Sequence, residues 1–186
     1  MLNVKDVGLP ADRLALAALA VGLGVRNAIC TIVPDRVVQV KWPNDVLIGQ
    51  HKVCGILVEQ HAAPAESALV VGVGMNVNNS LAAAPADVRQ RAASIFDLTG
   101  ENTDLNQLLI RVIQHVEHSL LQLQKRHMQM FAELNSVSCL TGRNVSIQAG
   151  SRLVAGVCRG IDSDGCLLVD SGGDLCRLNA GTVVAW

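Results

Sequence analysis

The amino-acid sequence predicts an α+β protein of two domains, in which a sheet packed with helices precedes a small all-β domain. Period-two apolar patterns flank Pro43 and return over residues 68–77, which predicts strands that pair antiparallel. After residues 136–141 the sequence pattern changes to short apolar strands between glycine-rich turns, which is typical of a small barrel or sandwich. We therefore place the first domain at 1–137 and the second at 138–186.

The composition favours a packed globule without a nucleic-acid or membrane partner. Half of the 186 residues are hydrophobic, 17% are charged, and the formal net charge is -1. The longest apolar run, residues 14–25, is too short to span a bilayer, and no secretory signal precedes it, so a cytoplasmic location is expected. The six cysteines form no C-x-x-C pair and are expected to be reduced and mostly buried.

Local patterns assign the elements in order. An Ala/Leu-rich helix should begin near Asp12 and end at the glycines around Gly24. The longest helix should start at Asp104 as N-cap and reach about Leu134, because its leucines, valines and isoleucines recur at helical spacing. Strands are expected at 1–4, 37–41, 53–61 and 68–77, and a short helix at 88–98.

Polar residues are concentrated in one stretch, from Lys41 to Glu59. Two lysines, an asparagine and an aspartate lie there between apolar runs, where we expect a strand, a tight connection and a second strand. Polar groups displayed on a rigid sheet suit a binding or catalytic site. Without further context, the commoner interpretation is an ordinary turn capped by Asp45, with Lys52 as a solvated lysine.

An ordered set of motifs resembles the signature of the biotin protein ligase family. The set consists of Lys41-Trp42-Pro43-Asn44-Asp45, Lys52, Gly55-Ile56-Leu57-Val58-Glu59, Val71-Gly72-Val73-Gly74-Met75-Asn76-Val77-Asn78, Ala93-Ser94-Ile95 and Asp97-Leu98-Thr99-Gly100. Residues 142–186 resemble the small SH3-like domain that ends many members. Each motif alone is weak evidence, and their order makes the resemblance specific.

The resemblance implies the biotin/lipoate ligase fold, which is similar to that of class II aminoacyl-tRNA synthetases, followed by an SH3-like β-barrel. It implies that biotin and ATP form biotinyl-5'-AMP, and that biotin then passes to a lysine of a carboxylase's biotin carboxyl carrier domain. Biotin, ATP and Mg²⁺ would be the small molecules involved.

Site residues follow from the same resemblance, position by position. Lys52 and Asp45 would be catalytic, with Lys52 touching both the biotin carboxyl group and the phosphate. Lys52, Gly55 and Ile56 would bind biotin. ATP and the adenylate would contact Lys41, Asn44, Gly74 and Asn76. No metal-binding site is assigned, although Asn44 and Asn76 could hold phosphate or Mg²⁺. His115 and His118 are interpreted as a polar helix face.

The sequence also departs from the family. Nothing before Lys41 resembles the glycine/arginine-rich loop that closes over the adenylate, nor an N-terminal winged helix, so we expect an N-terminally incomplete catalytic domain. A homodimer could cover the sheet edge left open. Two alternatives stay open: a non-catalytic binding or regulatory paralogue, or truncated fragment, of the same fold, and a lipoate or octanoyl ligase relative. The Lys-Trp-Pro-Asn-Asp element favours the biotin branch over the lipoate branch.

Overall fold

A computed structural model describes residues 14–62 and 67–186, which form two antiparallel sheets and five helices within those ranges. The first sheet has the strand order β1-β2-β3-β4. Its strands are β1 (Val38–Lys41), β2 (Asp45–Ile48), β3 (His51–Ala62) and β4 (Ser67–Met75). The α+β class is confirmed, whereas the strand expected at 1–4 lies outside the described residues. None of the described helices is both long and apolar enough to cross a bilayer.

Helix α1 (Leu14–Cys30) packs on one face of this sheet and supplies much of the core. The prediction that its glycines end the helix is wrong, because the helix continues six residues beyond Gly24. A Cβ on Gly24 would lie 2.7 Å from the Cα of Val116, which belongs to helix α4 (Leu105–Lys125). The glycine therefore serves close helix–helix contact rather than termination.

Segment 41–59 contains more strand than expected. The hairpin turn 42–44, which includes a cis Trp42–Pro43 bond, leads directly into β2 at Asp45. A second turn at 49–50 then leads into β3, so the expected single connection is in fact two tight turns around a short strand. This places Asp45 and Lys52 on strands instead of a loop.

Two helix predictions also need correction. The helix expected at 88–98 is two short helices, α2 (Ala86–Arg89) and α3 (Ile95–Thr99), because Ser94 and Asp97 form a capping box that starts α3. The long helix begins as expected, with Asp104 accepting from the Asn106 and Gln107 N–H groups. It breaks at Arg126, whose φ and ψ are -140° and 43°, and α5 (His127–Ser136) follows.

The second sheet has the order β8-β7-β6-β5-β9 and is antiparallel throughout. Its strands are β5 (Asn144–Ala149), β6 (Arg152–Ile161), β7 (Leu167–Ser171), β8 (Asp174–Leu178) and β9 (Thr182–Ala185). Short strands between turns are confirmed. Within the described ranges β8 and β9 do not pair, so the sheet is open, and both the SH3-like barrel and the boundary at 137/138 stay predictions.

Buried contacts join the two sheets. The indole Nε1 of Trp42 donates to the carbonyl of Gly165 at 3.1 Å, in the turn between β6 and β7. Asn135 of α5 donates to the carbonyl of Ile161 and accepts from its N–H. Because Trp42 belongs to the hairpin that carries Lys41 and Asp45, the second sheet is fixed directly against the candidate site.

Candidate functional site

Four of the candidate residues form one row across the first sheet. Lys41 pairs with Asp45, Asp45 with Gly55, and Gly55 with Gly74, each on the next strand. Paired residues on neighbouring strands face the same side, and strands lie about 4.8 Å apart, so this register row spans roughly 14 Å. The row thus has charged side chains on β1 and β2 (Lys41 and Asp45) and glycines, which have no side chain, on β3 and β4 (Gly55 and Gly74).

A bulge brings Lys52 onto this face. The register shifts between Val46 and Leu47, so that Lys52 opposes Leu47 while Gly55 opposes Asp45. The Lys52 ammonium lies 2.6 Å from Oδ1 of Asp45. That carboxylate oxygen is buried and forms an ion pair with the ammonium. In the described chain it accepts no hydrogen bond with good angles. The pair is half-exposed on the lysine side and therefore accessible to a ligand.

Gly55 makes room for this lysine. A Cβ at position 55 would lie 3.1 Å from Nζ and 3.2 Å from Cε of Lys52, and 3.7 Å from Oδ1 of Asp45. The ammonium therefore lies across the strand, directly over the Gly55 backbone. Together the bulge and the glycine position a cation above a flat stretch of sheet.

Lys41 is a second, less hydrated cation at the end of the row. Burial lowers the pKa of its ammonium, the carboxylate of Asp45 opposes this, and the charge of Lys52 adds to the lowering. The Lys41 Nζ also lies 5.2 Å from the ring centroid of Trp186. A partly desolvated cation interacts more strongly with a carboxylate or phosphate than one in bulk water.

The two asparagines differ in how they are held. Asn44 braces the hairpin, since its carbonyl accepts from the Ile56 N–H at 2.9 Å and its Nδ2 donates to the Ile56 carbonyl at 2.8 Å. Asn76 is fixed through its backbone between Val53 and Ile95. Among the described residues, its Oδ1 receives only a long 3.5 Å contact, from Asn79, which leaves this oxygen available at the end of β4.

Ile56 is the candidate whose side chain is not brought to the register row. It is 3% exposed and points toward α1, where its Cδ1 lies 3.4 Å from the position of a Cβ on Gly22. Only its backbone, held by Asn44, lies near the other candidates. All the assigned roles, including that of Ile56 in biotin binding, stay predictions.

Sequence reasoning missed Trp186 and Arg143, which reach the site from the second sheet's side. The Arg143 Cζ lies 5.0 Å from the Trp186 ring centroid, on the ring that also contacts Lys41. No local pattern could have found them, because more than a hundred residues separate them from Lys41 and neither belongs to a motif of the first domain. Only the packing of the two sheets reveals the contact.

A cavity of about 220 Å³ lies beside the hairpin turn, away from the cations. It is lined by Ala18, Leu19, Trp42, Pro43, Asn44, Ile56, Leu57, Val58 and Asn179. Because its lining is largely apolar and includes neither lysine, we assign the chemistry to the open register row instead.

The cysteines and histidines offer no competing chemistry in the described chain. All six cysteines are free, and burial raises the pKa of Cys54 to about 12 and that of Cys139 to about 11, so these thiols stay protonated. No group of three or more His, Cys, Asp or Glu side chains within residues 14–62 and 67–186 could hold a metal ion. The site is thus a set of cations over an open sheet, suited to a carboxylate or phosphate ligand.

Comparisons with known proteins identify the class. The family model described as "Biotin/lipoate A/B protein ligase family" matches residues 3–76. The biotin--[acetyl-CoA-carboxylase] ligase of Mycobacterium tuberculosis is 33% identical over 186 residues, which cover 98% of this chain and 67% of that protein. The chain therefore belongs to the biotin/lipoate protein ligase family, on its biotin protein ligase branch.

Solved structures support the fold. The apo biotin protein ligase from Aquifex aeolicus matches with a TM-score of 0.84 at 24% identity, covering 98% of this chain and 78% of that one. The same enzyme in complex with biotin and ATP matches with a TM-score of 0.79 at 24% identity, covering 92% and 71%. The chain spans about half the length of the bifunctional ligase/repressors that it also matches.

Proposed function

We propose that the protein is a biotin protein ligase that activates biotin with ATP and transfers it to a lysine of a biotin carboxyl carrier domain. The observation that carries this proposal is the Lys52–Asp45 pair, held over Gly55 in the register row. It is supported by membership of the family and by the M. tuberculosis relative, which is named for this activity. The A. aeolicus enzyme, which has the same fold, has been solved in complex with biotin and ATP.

In the first step, a biotin carboxylate oxygen attacks the α-phosphorus of ATP, the bond to the β-phosphate breaks, and pyrophosphate leaves. Negative charge accumulates on the α-phosphate oxygens as this happens. The Lys52 ammonium, held over the Gly55 backbone by Asp45, would stabilise that charge without reorganising. Asp45 would hold the ammonium in place, and Lys41 would attract the phosphates.

In the second step, the carrier's lysine attacks the acyl carbon of biotinyl-5'-AMP, an amide forms, and AMP leaves. The attacking amine must first lose a proton, because an ammonium has no lone pair. Asp45 is positioned beside the cation that contacts the acyl phosphate, so it either orients Lys52 or accepts this proton. Lys52 would stabilise the departing phosphate.

Asn44, Asn76 and Gly74 complete the nucleotide side of this proposal. Gly74 leaves bare backbone next to Gly55, over which a flat ring can lie closely. Mg²⁺ is bound in many such sites mainly by phosphates and water, with one or two protein oxygens. The available Oδ1 of Asn76 fits that limited role, and Mg²⁺ would supply neutralisation of the phosphate charge.

Three further features belong to the same proposal. We assign the reaction to the cytoplasm and the second sheet to the SH3-like type. A homodimer is the third feature; its contact must leave free the face of β3 and β4 that carries Gly55 and Gly74, where Leu57 and Val70 are also exposed.

Biotin transfer by the purified chain tests the proposal. The chain is incubated with ATP, labelled biotin and a carrier domain, and labelled carrier is counted. We expect transfer, and a loss of about 10²–10³-fold in rate for Lys52→Ala, as for removal of one charge-stabilising donor. Lys125→Ala is the matched control, since Lys125 is an exposed lysine at the end of α4 and should leave the rate unchanged.

Other outcomes separate the alternatives. Binding of biotinyl-5'-AMP without transfer would identify a binding paralogue, and labelling by lipoate or octanoate but not biotin would identify the other branch of the family. Equal losses in the Lys52 and Lys125 variants would contradict the assignment of Lys52.

A further inference from the structure

Two cations share one aromatic ring where the sheets meet. Lys41 ends the register row, and its Nζ lies 5.2 Å from the Trp186 ring centroid. Arg143, just before β5, places its Cζ 5.0 Å from the same centroid. Both distances are within the range of cation–π attraction. The row of the first sheet is thereby extended by two residues from the second sheet's side.

Neither cation has an anionic partner in the part of the chain that the structure describes. The Asp45 carboxylate beside Lys41 already lies 2.6 Å from the Lys52 ammonium. The other three arginines of residues 138–186 all have partners: Arg152 contacts the Cys176 sulfur, Arg159 binds Asp170, and Arg177 binds Asp162 and Asp164. Among these arginines, Arg143 alone has a guanidinium without a hydrogen bond or ion pair within residues 14–62 and 67–186; its hydrogen bonds, with Leu140 and Cys158, are made by its backbone.

We propose that Lys41 and Arg143 form a two-cation site for a polyphosphate, with Trp186 as the positioning residue that holds both. The ligand class is the phosphate chain of a nucleoside triphosphate and the pyrophosphate that it releases. The inference rests on the proposed function for the identity of the nucleotide, but its anion-binding part can be tested separately.

Charge and hydration support this ligand class. Like charges around one ring repel each other, and an anion between them converts that repulsion into two attractions. Burial lowers the pKa of Lys41, which marks an ammonium that has lost water and gained no acceptor among the described residues. Arg143 offers a planar fork of donors that suits phosphate oxygens. Biotin carries a single carboxylate, which the proposed function assigns to Lys52, so it is not the ligand expected at Lys41 and Arg143.

Calorimetric titration with inorganic pyrophosphate tests the site in the full chain. We expect binding by the parent, and Arg143→Gln should weaken it roughly tenfold, as for loss of one charge-assisted contact. Arg152→Gln is the matched control, because Arg152 is an exposed arginine at the far end of the β5–β6 hairpin. The affinity for biotin, titrated separately, should be the same in all three proteins.

Trp186 is tested by a conservative and a disruptive change. Trp186→Phe keeps an aromatic face and should retain most pyrophosphate affinity, whereas Trp186→Ala should lose affinity about as much as Arg143→Gln. Equal loss of biotin affinity in Trp186→Ala would indicate a merely structural role and overturn its assignment. If Trp186→Ala does not fold, the pyrophosphate affinities of Arg143→Gln and Trp186→Phe still test the site, because Arg143 is exposed and Phe keeps an aromatic ring.

The inference and the proposed function fail in different ways. Pyrophosphate binding that depends on Arg143, in a chain that transfers no biotin, would refute only the proposed function. Biotin transfer with unchanged pyrophosphate affinity in Arg143→Gln would refute only the two-cation site. A parent chain that binds no pyrophosphate, or an equal loss in Arg152→Gln, would likewise overturn it.

Discussion

The two sheets use charged side chains in opposite ways. In the second sheet, Arg159 lies 2.7 Å from Asp170, and Arg177 contacts Asp162 at 2.7 Å and Asp164 at 2.8 Å. In the first sheet, the Lys41 ammonium lies near the ring of Trp186. The Lys52 ammonium lies beside the Asp45 carboxylate, over the backbone of Gly55.

Arg159 and Arg177 of the second sheet are paired with carboxylates of the same sheet, whereas the lysines of the first sheet are placed where a ligand could reach them. The hydrogen bond from Arg159, with the Gly173 N–H, lowers the pKa of Asp170, so that this carboxylate is satisfied within its own hairpin. Near Lys41, burial dominates and lowers the pKa of the ammonium. Variants of the first sheet should therefore change function, and variants of the second sheet should change stability.

Of the variants that test the contrast between the sheets, Gly55→Ala gives the largest expected effect on function. Its Cβ would lie 3.1 Å from the Lys52 Nζ, so the flexible lysine must move away from Asp45 at little cost in stability. Misplacement of a catalytic group by about 1 Å can reduce a rate by up to about 10²-fold, which biotin-transfer assays would detect. Gly72→Ala is the control, since its Cβ would meet only ordinary contacts at 3.6 Å and 3.7 Å with Leu57.

Trp42→Phe tests the joint between the sheets. The change removes the donor to the buried Gly165 carbonyl, and the unsatisfied acceptor should lower the free energy of unfolding by about 1–3 kcal/mol. Denaturant unfolding monitors this loss. An unchanged unfolding free energy would mean that the carbonyl finds water and that the sheets are joined mainly by other contacts.

Arg177→Gln should alter stability slightly and function not at all. Its two ion pairs are partly exposed, and such pairs contribute little to stability because water and salt screen them. Thermal unfolding and biotin transfer, measured on the same preparation, check both parts. A fall in transfer without a fall in stability would break the contrast between the sheets.

Asp170→Asn should give the smallest effect, and one that depends on pH. Because its folded pKa lies below the unfolded value of about 3.9, the ionised carboxylate stabilises the fold above that pH. The contribution disappears as the pH falls through the folded pKa. The melting temperatures of parent and variant should therefore differ at neutral pH and converge in strong acid. A constant difference would show that the carboxylate's charge is not involved.

Sequence reasoning reached the site through motif order, and the strand pairing brings Lys41, Asp45, Gly55 and Gly74 into one row. It also located β1 and the Asp104 N-cap, which depend on local patterns. It failed where tertiary packing decides. Gly24 serves helix contact instead of ending a helix.

The same limit applies at two other places. The end of α4 at Arg126 follows no Gly or Pro in the sequence, and the structure gives no single local cause for it. Trp186 meets Lys41 only because the two sheets pack together, with Trp42 at their joint. Contacts between residues so far apart in the chain carry no periodic signal.

The bulge in β3 makes the site sensitive to residue count as well as to residue type. Lys52 and Gly55 are three positions apart, and in a regular strand they would point to opposite faces. The shift at Val46/Leu47 places both on the face of Asp45. Inserting one residue between Val46 and Leu47 would give Val53 a partner and straighten the ladder, which would keep every site residue yet turn the lysine toward the core side. The hairpin's length is thus under the same functional constraint as its lysine.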